Sequence, residues 1–269
     1  MDRGQVTSPF GEDELEELPL SPAPLVKVLA QIRFPRVLSI GSDNYIAGFQ
    51  ERIRSTYPVL REEMNIEALI GADGVQQQST RAWRFHDIAE HWSVVLSSSF
   101  LALETDHYTS RNDFLARWAE VLQALASIAD PTPIVVADRL GVRYINRLVG
   151  EDATTRLEKL IRPELYGPLT MPMPLGMKFV SSVGQAHFEL DGPQMQARWG
   201  KLPPNATFLP DVSLVEEPSW MLDIDVFFEG STSFEPEEAA KSSAHATNHA
   251  YRFFRWATSE QLIAERSVE

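Results

Sequence analysis

Between Asp138 and Leu148 the chain alternates with a period of two. Leu140, Val142, Tyr144 and Leu148 fall on one side of an extended backbone, with Asn146 as the polar exception. Arg139, Arg143 and Arg147 fall on the other side, with Gly141 and Ile145 between them. This period predicts a strand whose second face carries three guanidiniums. In a chain of net charge −14 those cations need carboxylates or an anionic ligand to face.

The sequence offers both. Met221-Leu222-Asp223-Ile224-Asp225-Val226 is another alternating strand, with Asp223 and Asp225 on its polar face. If the two strands are near neighbours, Arg143 and Arg147 can form two-pronged pairs with these aspartates, and breaking such a pair leaves a charge unpaired. The alternative is an open anion-binding face on which Arg33 and Arg198 join Arg139, Arg143 and Arg147.

Similar patterns organise the rest of the chain. Val26, Val28, Ala30, Ile32 and Phe34 alternate with Lys27, Leu29, Gln31 and Arg33, a half-buried strand stopped by Pro35. Ile46, Phe49, Ile53 and Tyr57 predict a helix over 43–57. Short strands follow around Gly71-Ala72-Asp73-Gly74, over Ala82–His86 and over Trp92–Leu103. Ser110 caps a second helix, with Asp113 at the capping-box position and Phe114, Trp118, Val121, Leu122, Leu125 and Ile128 on its apolar face; residues 130–133 close it. After the arginine strand come a helix near Thr154–Tyr166, strands at Phe179–Leu190, Gln194–Lys201 and Trp220–Phe228, and a terminal helix over Pro236–Glu265. The order strand, helix, strands, helix is thus written twice, with a period of about 110 residues. The expected fold is α+β, with two fused similar halves at 23–133 and 134–269 sharing a curved antiparallel sheet with helices on one face. The Pro/Met segment Gly167–Met177 and the loop Leu202–Pro218, with four prolines, interrupt it; a loop of that length is commonly functional or mobile.

Charge bounds the partners. Residues 1–24 hold six acids against Arg3 and contain Pro9, Pro19, Pro22 and Pro24, which predicts a flexible acidic tail over residues 1–22. Leu15, Leu18 and Leu20 could dock a partner there. The remaining body is still near −9, which argues against broad binding to a phosphate backbone, though not against a local basic groove. The absence of cysteine excludes disulfides, thiolate zinc sites and cysteine nucleophiles. No apolar run is long enough to span a bilayer, and the opening Met1-Asp2-Arg3-Gly4 is unlike a secretory signal. A cytoplasmic protein with no membrane partner is the expectation.

No reaction is written into the remaining motifs. Asp223-x-Asp225 has two carboxylates for a metal but no third acid at a diagnostic spacing. His245 and His249 lie at i and i+4 on the terminal helix, a spacing suited to zinc, but Ala246 stands where a zinc protease carries its glutamate. His86, Asp87, Glu90 and His91 read as turn chemistry. Tyr251, Phe253, Phe254 and Trp256 read as core, with base stacking the alternative. No glycine-rich phosphate loop is present, and no serine has a partner base. The sequence therefore predicts no catalytic residue, no metal and no cofactor.

Three segments together carry a resemblance: Ala23-Pro24-Leu25-Val26 through Ile32-Arg33-Phe34, Leu140-Gly141-Val142-Arg143-Tyr144-Ile145-Asn146-Arg147, and Tyr251-Arg252-Phe253-Phe254-Arg255-Trp256-Ala257. They resemble a sporadically distributed bacterial family of unknown function, with Arg-Tyr-Ile-Asn-Arg its most specific piece. The resemblance spans residues 22–265 and implies no catalytic residues; the family's patchy distribution is similar to that of mobile defence or toxin–antitoxin components. The doubled element order also resembles the TATA-binding-protein-like fold, which carries no activity with it. The resulting expectation is a non-catalytic binding or regulatory protein acting through a protein partner. The alternative is a nucleic-acid or nucleotide binder using the arginine-bearing sheet face.

Overall fold

Alternation of apolar and polar residues becomes one sheet. In a computed structural model, residues 6–71, 74–128 and 134–267 are described, with the backbone alone over 65–71 and 74–80. Strand β1 (Leu25–Arg33) leads to helix α1 (Asp43–Ile53), then β2 (Val59–Gly71), β3 (Gly74–His86), β4 (Trp92–Ser97), β5 (Phe100–Thr105) and α2 (Arg111–Ala126). The arginine strand is β6 (Val136–Val149). It is followed by short helices α3 (Glu151–Thr155) and α4 (Leu157–Leu160), then β7 (Ser182–Glu189), β8 (Gln194–Leu202), β9 (Ser219–Ser233), α5 (Pro236–Ala257) and α6 (Glu260–Arg266). The nine strands lie in the order β2-β3-β4-β5-β1-β6-β9-β8-β7. Hydrogen bonds at the strand ends, Gly150 N to Pro218 O and Phe234 N to Val135 O, run β6 and β9 antiparallel. The architecture is α+β with an antiparallel sheet.

Several boundaries differ from the sequence expectation, each for a local reason. The segment Trp92–Leu103 is two strands, because Ser97 pairs with Phe100 across a two-residue turn at Ser98-Ser99. The helix expected at Thr154–Tyr166 breaks into α3, α4 and 3-10 turns. The Thr154 and Thr155 hydroxyls bond back to the carbonyls of Gly150 and Glu151, Arg156 leaves helical geometry at φ −118°, and Pro163 has no N–H to donate. The terminal helix stops at Ala257 and restarts at Glu260, where the Ser259 hydroxyl caps the Leu262 amide at 3.1 Å. Helix α1 ends at Ile53 rather than residue 57. The turn residues 72–73 and the close of α2 at 130–133 lie outside the described residues.

Two compact units emerge, and each draws on both sequence halves. The central unit is Leu29–Gly141 with Phe228–Ala244. Its α2 begins with Ser110 accepting from the Asp113 amide at 3.2 Å and buries Phe114, Trp118, Val121, Leu122 and Leu125. Trp118 donates its indole N–H to the buried Ser243 hydroxyl at 2.9 Å, which keeps a large ring in the core without an orphaned donor. Arg84 on β3 bonds Glu63, Glu104 and Ser93.

The terminal unit is Met1–Val28, Val142–Phe227 and His245–Glu269. Here β9 is buried on both faces from Ser219 to Ile224, so its polar side is covered as well as its apolar one. Among the described residues no helix is long and apolar enough to cross a membrane.

Candidate functional site

The register of β8 against β9 places Arg198 opposite Asp223. Asp223, only 3% exposed, takes two bonds from Arg143, at 2.6 Å from Nε and 2.9 Å from Nη2. Arg198 adds Nε and Nη2 contacts to the same carboxylate at 3.3 and 3.2 Å. One carboxylate therefore accepts from two guanidiniums, leaving a net positive charge on the trio. Burial alone would push Arg143 down, yet its Asp223 bonds and the negative charges of Asp211 and Asp225 leave it raised.

Arg147 is held differently. Its Nε donates to Ser219 Oγ at 3.0 Å, Nη1 to Ser213 O at 2.7 Å and Nη2 to Ala206 O at 2.9 Å. The expected aspartate pairing is replaced by neutral oxygens, and burial accordingly pushes this guanidinium down. Two of those oxygens belong to the proline-rich loop after β8. That loop is a packed cover: Asn205 N bonds Val215 O at 2.7 Å, closing its base. Leu209 is buried with Ile145, Leu202 and Met221, and Val26, Ala206, Phe208 and Val212 pack around them. Phe208 lies 5.4 Å from the Arg198 guanidinium, and Asp211 meets Lys27 at 3.3 Å. Burial opposes the Asp211 charge, but Lys27 and Arg143 hold the carboxyl below its usual range. The loop thus fills the arginine side of the sheet in this unit with its own carbonyls, an aromatic ring and an acid.

Arg33 and Arg139 belong to the central unit, where Arg33 bonds the Gln31 side chain at 3.2 Å. Asp225 lies on the Asp223 face, opposite Gln196 on β8. Of the anion-binding candidates, the structure brings together Arg143, Arg147 and Arg198, each with partners inside the chain.

A second cluster forms on α5. His245 and His249 put their Nε2 atoms 2.9 Å apart, and the Glu12 carboxylate lies 3.0 Å from His245 Nε2 and 3.8 Å from His249 Nε2. His249 is buried, and burial, with the neighbouring His245 ring next, holds its pKa below the usual imidazole value. The contact with His245 holds the Glu12 carboxyl low. Glu12 escaped the sequence reading because nothing local ties it to residues more than two hundred positions away.

Glu12 reaches α5 because the acidic segment has fixed contacts there. Arg252 Nη2 donates to Asp13 O at 2.6 Å, Leu18 N donates to the Tyr251 hydroxyl at 2.8 Å, and Arg162 donates to Val6 O at 2.6 Å. Phe10 stacks edge-on to Phe188 at 5.0 Å, and Val6 is buried. Composition alone predicts a flexible tail over residues 1–22; from Val6 to Leu18 these contacts correct that expectation, because Val6 and Phe10 supply apolar contact and α5 supplies donors for the main chain, while residues 1–5 lie outside the described residues. Deleting residues 1–20 is expected to lower the melting temperature by several degrees, checked by thermal unfolding of the truncated chain.

The third feature is an exposed apolar surface. Met171, Met173, Leu175, Met177, Val180 and Val183 are exposed in succession along the Pro/Met segment and the start of β7. Strand β7 ends the sheet, and its residues alternate between half-buried and exposed. No family model matches the chain, and no curated protein is similar to it.

Proposed function

We propose that this chain is a non-catalytic binding or regulatory protein that receives an extended segment of a basic protein partner along β7. The observation that carries the reading is the run of six exposed apolar residues from Met171 to Val183 leading onto an edge strand. Scattered surface apolar residues are ordinary, but six exposed ones within thirteen residues, leading onto an edge strand with an open row of main-chain donors and acceptors, favour a docking surface. Methionines suit such a surface because unbranched thioethers repack around differing side chains. The net charge of −14 favours a cationic partner.

The runner-up, a nucleic-acid or nucleotide binder on the arginine face, has less support. It would require the loop to leave and Asp223 to release two guanidiniums. We further read the sheet as two fused strand–helix–strands–helix halves with TATA-binding-protein-like order. The strand sequence supports this: β1 and β6 are adjacent at the middle, and β1 is flanked by β5 as β6 is by β9. Membership of the bacterial family that the chain resembles, a cytoplasmic location and a defence role belong to the same proposal.

A photoreactive side chain at Val183 should capture a partner that the same group at exposed Ile88 does not. Against that purified partner, Val183→Lys and Met177→Lys should each weaken binding at least about tenfold while leaving the melting temperature unchanged, since both sites are exposed. Equal capture at Ile88, or unaltered affinity in both lysine variants, would remove β7 as the docking edge.

A further inference from the structure

We propose that Glu12, His245 and His249 form a binding site for one divalent transition-metal ion, represented by zinc, and that the bound ion ties the acidic segment to α5. Helical spacing puts both imidazoles on one side of α5, and their Nε2 atoms converge with the Glu12 carboxylate so that all three ligand atoms lie within 4.8 Å of one another. A tetrahedral ion with bonds of about 2.0–2.2 Å holds neighbouring ligand atoms about 3.3–3.6 Å apart. The two imidazole nitrogens lie 2.9 Å apart, Glu12 Oε2 lies 3.0 Å from His245 Nε2, and Glu12 Oε1 lies 3.8 Å from His249 Nε2, so a modest turn of the exposed Glu12 carboxylate with a slight parting of the rings completes the geometry.

Protons serve this arrangement poorly. His245 Nε2 faces both a carboxylate oxygen and the His249 nitrogen. If it carries hydrogen, one proton must serve two acceptors. If it does not, its lone pair points at an anion. A single cation satisfies all three atoms together. Two imidazoles and one carboxylate select zinc, cobalt, nickel or copper over magnesium and calcium, which prefer all-oxygen sites.

The third ligand is pre-positioned by residues that are not ligands. Arg252 bonds the Asp13 carbonyl at 2.6 Å, and Asn248 reaches the Glu12 and Asp13 carbonyls at 3.4 and 3.5 Å, so the main chain beside Glu12 is anchored without the ion. Three protein ligands leave one position for water or for a side chain of a bound protein. With Ala246 between the histidines and no glutamate there to act as base, the role assigned is a clamp rather than a hydrolytic centre. Among the described residues His249 Nδ1 meets no acceptor, so the affinity should fall below that of sites whose imidazoles are fixed by a second hydrogen bond.

The test uses the full-length chain without an affinity tag, stripped by a chelator. Zinc titrated in competition with a chromophoric chelator should show one equivalent bound, and cobalt should give the visible bands of a four-coordinate ion. Glu12→Gln lies at an exposed position and threatens no core, and it should weaken zinc binding at least tenfold, as should His245→Ala. His91→Ala, which alters a stacked imidazole pair elsewhere, should change nothing. Zinc should also slow proteolysis within residues 6–20 of the unaltered chain but not of Glu12→Gln. Absence of zinc binding overturns the proposal, and so does one-equivalent binding that survives both Glu12→Gln and His245→Ala or that disappears in His91→Ala.

Discussion

Asp223→Ala is expected to lower the melting temperature by on the order of 10 °C. The carboxylate is buried and answers two guanidiniums, so its loss leaves Arg143 and Arg198 without their bonded acid, with only the more distant charges of Asp211 and Asp225 acting on Arg143. Removing one partner of a buried pair costs about 3–5 kcal/mol, and a chain of this size loses about 2–4 °C per kcal/mol. Arg143→Ala should cost less, because Asp223 keeps Arg198 and the loop's Asp211 keeps Lys27. The double variant should depart from additivity by about 0.5–3 kcal/mol, since the two side chains share bonds at 2.6 and 2.9 Å. Thermal and denaturant unfolding of the three variants checks this ordering. A melting temperature for Asp223→Ala within a degree of the unaltered chain would show that the arginine cluster is not held by its acid, and would favour the anion-binding reading over internal pairing.

The parts of this cluster differ in how legible they were. Alternation in β6 and β9 puts Arg143 and Asp223 on polar strand faces of opposite charge, and the shared sheet makes their meeting a matter of register. Arg147 has the same signature as Arg143, yet it bonds Ser213 and Ala206 carbonyls. Main-chain oxygens carry no mark in a sequence, and a loop that folds back over a strand announces only its prolines. The hairpin between β4 and β5 was hidden because Ser98-Ser99 lacks the glycine or asparagine that usually signals a tight turn. The α5–α6 break was more readable, since a serine three residues before Leu262 is a capping signal, but no glycine or proline accompanies it to mark the stop. The helical spacing of His245 and His249 was visible, whereas Glu12 became their neighbour only through contacts of the acidic segment with Arg252 and Asn248.

Gly200→Ala is expected to produce the second large effect, concentrated at the sheet edge that the proposed partner uses. In the register of β7 and β8, Gly200 stands opposite Val183. A Cβ at Gly200 would lie 2.1 Å from the Ser182 carbonyl oxygen and 3.0 Å from Val183 Cα. Both obstacles are main chain, so no rotamer change relieves them. The start of β7 must move off β8, losing ladder bonds and the exposed Val183 position together. Overpacking of this kind costs about 1–3 kcal/mol. Gly184→Ala supplies the contrast: its added methyl would meet only the Trp199 ring, at 2.9–3.1 Å, and a side chain can turn aside. Hydrogen exchange should therefore show β7 amides opening in Gly200→Ala while amides of the central unit keep their protection, and Gly184→Ala should be milder on both measures. Partner binding should fall with β7 protection across this pair of variants, because a strand displaced from its sheet offers no ordered edge. If Gly200→Ala frees β7 amides yet leaves partner affinity intact, the partner docks on the methionine segment alone, and strand addition has to be abandoned.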